Sequence, residues 1–372
     1  MLKNNFITRR LDDYKSLDGK GKRLWWGDFF VRNAIYIIII ALVIYVQIYS
    51  IQNDFKNNFF SFPSIMDVIM RSSSALFLAL GVGGIIVMTG TDLSAGRIQG
   101  LTACVSASLL QLPWAEYAPR MFRDDFLFPH TISPIIIPML MVMLFVMVVG
   151  GLLGVFNGFF VSKFKLHPFI VTLATQLMVY GIVLWYVQQG YNGGTPISGL
   201  IEPYKTLVKG TIEVFGTQIP YYVFYAIGAT VIMWFIWNRT TLGKNMYAVG
   251  ANPDAANVSG VSVMKTTIFI FMIAGILYGF AGFVEAARTG SNSPTTGVNN
   301  ELDAIAACVI GGVSFTGGTG KISGIITGVI LLAIISVALQ WLSVSGELQF
   351  VIKGALILIA VTIDMRKYLA KK

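Results

Sequence analysis

Charge is scarce in this sequence. Only 12% of its 372 residues are Asp, Glu, Lys or Arg, against 55% apolar ones, and the mean hydropathy is +0.71. A soluble domain carries about 25% charged residues because its surface faces water. A chain this poor in charge cannot clothe such a surface, which excludes the ordinary soluble classes. Cysteine and histidine are nearly missing as well, with two of each. Cys104 and Cys308 fall inside apolar segments without a spacing partner, so neither a disulfide framework nor a thiolate metal site is indicated. Both read as small packing residues. His130 and His167 lie near segment ends with no second ligand close by, so no metal site is assigned. The signatures of membrane-embedded hydrolases are absent too: there is no Gly-x-Ser-Gly, no Gly-x-Gly-Asp and no His-Glu-x-x-His. No catalytic residue and no cofactor is assigned.

What is present is apolar sequence in uninterrupted runs. About 20 apolar residues carry a helix across the hydrocarbon core, and the runs here are of that order, so lipid is the surrounding medium. The fold class is all-α, a polytopic transmembrane helical bundle of about ten spans. They are Val31–Ile51, Ile65–Thr89, Ile98–Leu112, Pro134–Ser162, Phe169–Gln189, Tyr221–Trp237, Thr267–Ala287, Leu302–Val313, Ile322–Leu342 and Phe350–Ile363. Several of these are short or broken, and eight crossings would also give an even count. Ten spans divide into two halves of five, the arithmetic of an inverted repeat, although the halves share no convincing identity.

The net charge of +9 lies mostly in the tails and short connecting loops, which is the positive-inside distribution and not a nucleic-acid surface. Residues 1–30 form a basic arm rich in Lys and Arg, with Trp25 and Trp26 at its end, too long for a secretory leader. This arm and the tail from residue 366 are expected in the cytoplasm. Residues 31–365 form the membrane domain, with a polar cytoplasmic loop over residues 239–265. The loop Pro113–Ser133 is expected to be irregular and external, and Gly190–Ile219 is a long polar loop carrying Glu202, Lys205, Lys209 and Glu213.

Polar residues at membrane depth are costly and pair with one another or face a polar path. The break Gly90-Thr-Asp-Leu-Ser-Ala-Gly-Arg97 places an acid, a base and two glycines between apolar helices. It reads equally as a surface turn capped by Asp92 or Ser94 and as an element of a translocation path. With Asp92 and Ser94, the other path candidates are Asn157 in the fourth span and Thr172 and Gln176 in the fifth. Glu285 and Arg288, three residues apart, suit a structural ion pair on one helical face. Glu301 and Asp303 are further acids near membrane depth. A second break, Gly311–Lys321, imitates a phosphate loop, but Ile322 stands where that motif needs Ser or Thr. The chain therefore hydrolyses no ATP by itself.

The stretch Thr241–Gly260 is the most telling. Asn252 as cap and Pro253 at the first helical position start a short helix, which stops near Gly260. A short helix of small residues on a cytoplasmic loop suits docking into another protein, or is simply a surface helix.

Four stretches together make the chain similar to the ribose/galactose-type carbohydrate permeases of ATP-binding-cassette importers. They are GTDLSAGR (Gly90–Arg97), HPFIVTLATQLMVYGI (His167–Ile182), TLGKNMYAVGANPDAANVSGV (Thr241–Val261) and ELDAIAACVIGGVSFTGGTGKISG (Glu301–Gly324). The resemblance runs from about Ile35 onward, and is narrowest to the galactose or methyl-galactoside members. It implies a permease in a bacterial inner membrane, both termini cytoplasmic, assembled with a second copy of itself, a cytoplasmic ATPase and a periplasmic sugar-binding protein. The implied cargo is galactose or a methyl-galactoside, with glucose next. The implied ATPase-coupling residues are Thr241, Gly243, Asn245, Ala248, Gly250, Asn252, Pro253, Ala255, Ala256, Ser259 and Gly260. Bulky side chains at Gly250 or Ala255 are then expected to uncouple transport without unfolding the chain. The arm before Trp25 and the loop Pro113–His130 depart from the family pattern. An ion-coupled sugar carrier or channel is the alternative, with Asp92 as its one tempting ligand; a docking helix has no use in such a carrier.

Overall fold

The computed structural model describes residues 37–52, 59–111, 136–189, 193–214 and 217–369. The basic arm, the loop of residues 113–133 and the last three residues of the tail lie outside the described residues. Among the described residues the regular structure is helical apart from one hairpin. It divides into two compact units, one of residues 1–59 and 338–372, the other of residues 60–337.

In the first unit, α1 covers Ile37–Gln52. Its Ile40, Ile44, Ile48 and Ile51 are exposed, the outer face of a helix solvated by hydrocarbon. The C-terminal helix of this unit, α13, is Gly346–Leu369, so the residues at which the tail was expected to begin continue a helix.

The second unit holds the rest. α2 is Phe62–Val87, α3 Ala95–Leu109, α4 Ile136–Phe164 and α5 Pro168–Gln188. α6, Glu202–Lys209, leads into a hairpin of β1, Thr211–Val214, and β2, Thr217–Pro220, which pairs Thr211 with Pro220. Then come α7, Tyr221–Arg239, α8, Thr241–Ala251, α9, Pro253–Val258, α10, Val263–Thr289, and α11, Asn300–Ile310. α12, Ile322–Trp341, closes the set, with its residues from Ala338 on counted to the first unit.

In the described part of each of the ten expected spans lies a helix. Six of them, α2, α4, α5, α7, α10 and α12, are long and apolar enough among the described residues to cross a membrane. α3 has 15 residues and α11 has 11. At 1.5 Å per residue they reach about 22 and 16 Å, short of a hydrocarbon core of about 30 Å. The start signals are local. His167 caps α5 by accepting from Phe169 N, with Pro168 at its first position. α10 ends on Gly290 at φ 74°, a left-handed cap that favours glycine.

α2 and α10 are the central helices: 67% of the apolar window of each is buried, against 28% in α7. α10 packs on α4, α3 and α2, and α11 packs on α2. α4 meets α10 through glycine. A Cβ at Gly150 would collide with the Gly275 carbonyl, one at Gly154 with that of Phe271, and one at Gly279 with that of Val146. The two backbones touch directly, which is how helices associate where lipid offers no hydrophobic drive.

The described part of the long polar loop over residues 190–219 folds into α6 and the hairpin. The polar loop of residues 239–265, expected to hold one short helix, holds two, because Thr240 caps an earlier one by accepting from Gly243 N.

Candidate functional site

α2 stops at Val87 and the chain turns through Thr89, at φ 63°, into the break. The Asp92 carboxylate accepts from Ser94 N at 2.9 Å and from Ser94 Oγ at 2.6 Å, which closes a turn two residues long ahead of α3; the N-cap of α3 is Ser94, and neither side chain caps the helix. Ser94 Oγ in turn accepts from Asn157 Nδ2 at 3.0 Å, and Asn157 Oδ1 accepts from Thr175 Oγ1 at 2.6 Å. This is one hydrogen-bonded chain from the break through α4 to α5. Thr172 ties the same turn a second time, its Oγ1 accepting from Leu93 N at 3.2 Å. Asp92 and Thr175 are 1% exposed, and Ser94, Asn157 and Thr172 are 0% exposed. In this conformation the four path candidates Asp92, Ser94, Asn157 and Thr172 are therefore sealed, and what they hold together is three helices. Nothing in the sequence paired Thr175 with Asn157; the only signal was a polar side chain in each of two apolar runs.

The fifth candidate, Gln176, belongs to a second and more open group. The N-termini of α3 and α11 meet there: a Cβ on Gly96 would strike the Glu301 carboxylate and the Gly297 carbonyl, and Asn300 Nδ2 donates to Gln99 Oε1 at 2.8 Å. Gln176 Nε2 reaches Glu301 Oε1 at 3.5 Å. The Arg97 guanidinium lies 4.1 Å from the centroid of the Tyr180 ring and donates to Pro294 O at 3.0 Å. Glu301 is 3% exposed and its Oε2 has no hydrogen-bond partner, whereas Gln176, Arg97 and Tyr180 are half-buried.

The expected coupling segment separates into two parts. In α8, Gly243 and Gly250 are buried, while Thr241 is exposed and Asn245 and Ala248 are half-buried. A Cβ on Gly250 would overlap the Val87 carbonyl and press on Gly318. Gly318 N donates to the same Val87 carbonyl at 2.8 Å, and Tyr247 Oη donates to Gly320 O at 2.9 Å. The glycine-rich loop of residues 311–320 is thus the seat of α8. α9 stands clear of it. Asn252 Oδ1 accepts from Ala255 N at 3.0 Å; Pro253, Ala255, Ser259 and Gly260 are exposed and Ala256 is buried. Val258, at the end of α9, is 90% exposed.

At the far end of α10, Arg288 grips Glu285 with two bonds, Nε to Oε2 at 2.9 Å and Nη2 to Oε1 at 2.7 Å. Ser74 Oγ of α2 adds a third at 3.1 Å. Cys104 and Cys308 are free and buried.

Long apolar helices, two half-length helices joined N-terminus to N-terminus at depth, and a helical pair on a polar loop define a multi-pass membrane transport protein. Comparison with known proteins agrees. The family of permease components of branched-chain amino acid transport systems matches residues 64–361. The chain is 39% identical over 347 residues to the galactose/methyl galactoside import permease protein MglC of Haemophilus influenzae, covering 93% of this chain and 97% of that one. It is also 39% identical over 344 residues to MglC of Escherichia coli, covering 92% and 97%. To the ribose import permease protein RbsC of Haemophilus influenzae it is 32% identical over 348 residues, covering 93% and 96%. No solved structure matches. The chain belongs to the transport-system permease-component family; it is a transport subunit and not an enzyme.

Proposed function

We propose that this chain is the membrane-spanning permease of an ATP-driven importer of a monosaccharide, galactose or a methyl galactoside, with glucose as the next choice. The observation that carries the cargo is the gap between 39% identity to the galactose permease and 32% to the ribose permease, each over nearly the full length. It works in the bacterial inner membrane with both termini cytoplasmic, beside a second copy of itself. A cytoplasmic ATPase supplies the energy, and a periplasmic binding protein delivers the sugar. α9 is the ATPase contact: it is exposed, and it lies between Arg239 and Lys265, on the side that positive charge selects. Asp92, Ser94, Asn157, Thr172 and Gln176 border the route between the two copies, and the first four become accessible only when the helices around the break move apart.

The test is uptake of labelled galactose into vesicles from cells with and without this chain, loaded with ATP, with or without vanadate, and treated in parallel with a proton uncoupler. Uptake that needs the chain and stops with vanadate is expected. Uptake that ignores vanadate and collapses with the uncoupler identifies an ion-coupled carrier instead and overturns the proposal.

A further inference from the structure

Two groups of polar residues lie at membrane depth around the start of α3, and they differ in one respect that matters for a passing solute. The chain Asp92–Ser94–Asn157–Thr175 is closed: its four hydrogen bonds are all 3.0 Å or shorter and no residue in it is more than 1% exposed. The group of Gln176, Tyr180, Arg97 and Glu301 is slack. Its Gln176–Glu301 contact is stretched to 3.5 Å, Glu301 Oε2 is buried without a partner, and the other three side chains are half-buried. A buried carboxylate oxygen left unpaired is costly, and at membrane depth such groups mark substrate routes.

Depth agrees. Gln176 is eight residues from the start of α5 at Pro168 and twelve from its end at Gln188, about 12 and 18 Å along the axis. That is near the middle of the span, where transporters built on discontinuous helices hold their cargo. We propose that Gln176, Tyr180, Arg97 and Glu301 form the station at which a neutral monosaccharide is held in transit. Glu301 Oε2 and the Gln176 amide take its hydroxyls, and the Tyr180 ring, braced by Arg97, packs against its C–H surface. The chemistry selects the cargo class. One acid and one base cancel, so an ion of either sign meets a like charge, while a polyhydroxylated neutral molecule finds acceptor, donor and apolar surface together. The inference rests on the sugar-permease reading above.

The test uses the complete assembly in proteoliposomes, with Glu301→Gln, Gln176→Leu and Tyr180→Leu. The readouts are labelled hexose moved per ATP hydrolysed and the ratio of galactose to glucose moved. Hexose per ATP is expected to fall about tenfold in each variant, the factor that about 1.4 kcal/mol represents, through loss of a charged acceptor at 301, an amide at 176 or an aromatic face at 180, and the galactose-to-glucose ratio is expected to change. A merely structural role lowers transport and hydrolysis together and leaves both ratios at the wild-type value; that result overturns the station. A wild-type assembly that moves no hexose overturns the sugar reading itself, so the two failures are told apart by the wild-type control.

Discussion

Thr89 carries a β-branched side chain at φ 63°, a region such residues rarely enter, and it does so at the turn from α2 into the Asp92 network. Strain of this kind costs of order 1–3 kcal/mol. Thr89→Gly is expected to raise the thermal unfolding midpoint in detergent, by relief of about 1 kcal/mol; a fall would show that the Thr89 side chain contributes more than its strain costs. Asp92 has the opposite sign. Asp92→Leu strips Ser94 N and Ser94 Oγ of their acceptor and is expected to destabilise by about 1–3 kcal/mol, whereas Asp92→Asn, which keeps an acceptor oxygen, loses much less. The same midpoint measurement separates the two, and equal losses would count against the role of Asp92 in closing the turn. The sequence named Asp92 and Ser94 as a turn or a path element. It could not say which, because the partners that seal them, Asn157 and Thr175, come from helices distant in the chain.

At the scale of elements, the glycines at 150 and 154 and at 275 and 279 stand four residues apart in two apolar helices, a spacing from which no contact was predicted. A small-residue face does not name the helix it meets. Replacing Gly154 by Leu drives a side chain into the Phe271 carbonyl. It is expected to cost about 1–3 kcal/mol or more and to lower the yield of folded protein on size-exclusion chromatography. Gly181→Ala, where a Cβ meets nothing within 4 Å, is expected to leave that yield unchanged. The short α3 and α11 show the limit of reading spans from hydropathy. Their residues are apolar like those of a full crossing, but the glycines and acids at their N-termini stop them part-way. The hairpin after α6 escaped notice because Thr211–Val214 and Thr217–Pro220 are too short for alternation to register. Asn252 and Pro253, by contrast, put the start of α9 in plain view, since a cap is written entirely in adjacent residues.

For the whole molecule, α7 separates α9 from the hairpin, so Val258 and Glu213 are expected on opposite faces of the membrane. Both native cysteines are buried, which keeps the labelling background low. Val258→Cys is expected to react with an impermeant maleimide in inside-out vesicles only, and Glu213→Cys in intact spheroplasts only; labelling of both from one side would refute the topology. A bulky Ala255→Trp on the exposed α9 is expected to leave the unfolding midpoint unchanged while reducing galactose uptake several-fold. Gly250→Trp is expected to unfold the protein. The sequence placed Gly250 and Ala255 together on the docking face, and the structure separates them because Gly250 is turned inward onto Val87.

The atoms that a Cβ on Gly250 would meet first, from Val87 and Gly318, are all backbone. Backbone seated on backbone has no rotamer to turn and no methyl to yield, and packed protein is nearly incompressible. α9 is joined to α8 through Asn252 alone, and α8 bears directly on the residue at which α2 gives way to the break. α8 thus stands between the exposed α9 and the turn at Thr89, and a displacement of α8 toward Val87 would have nothing but backbone to press on.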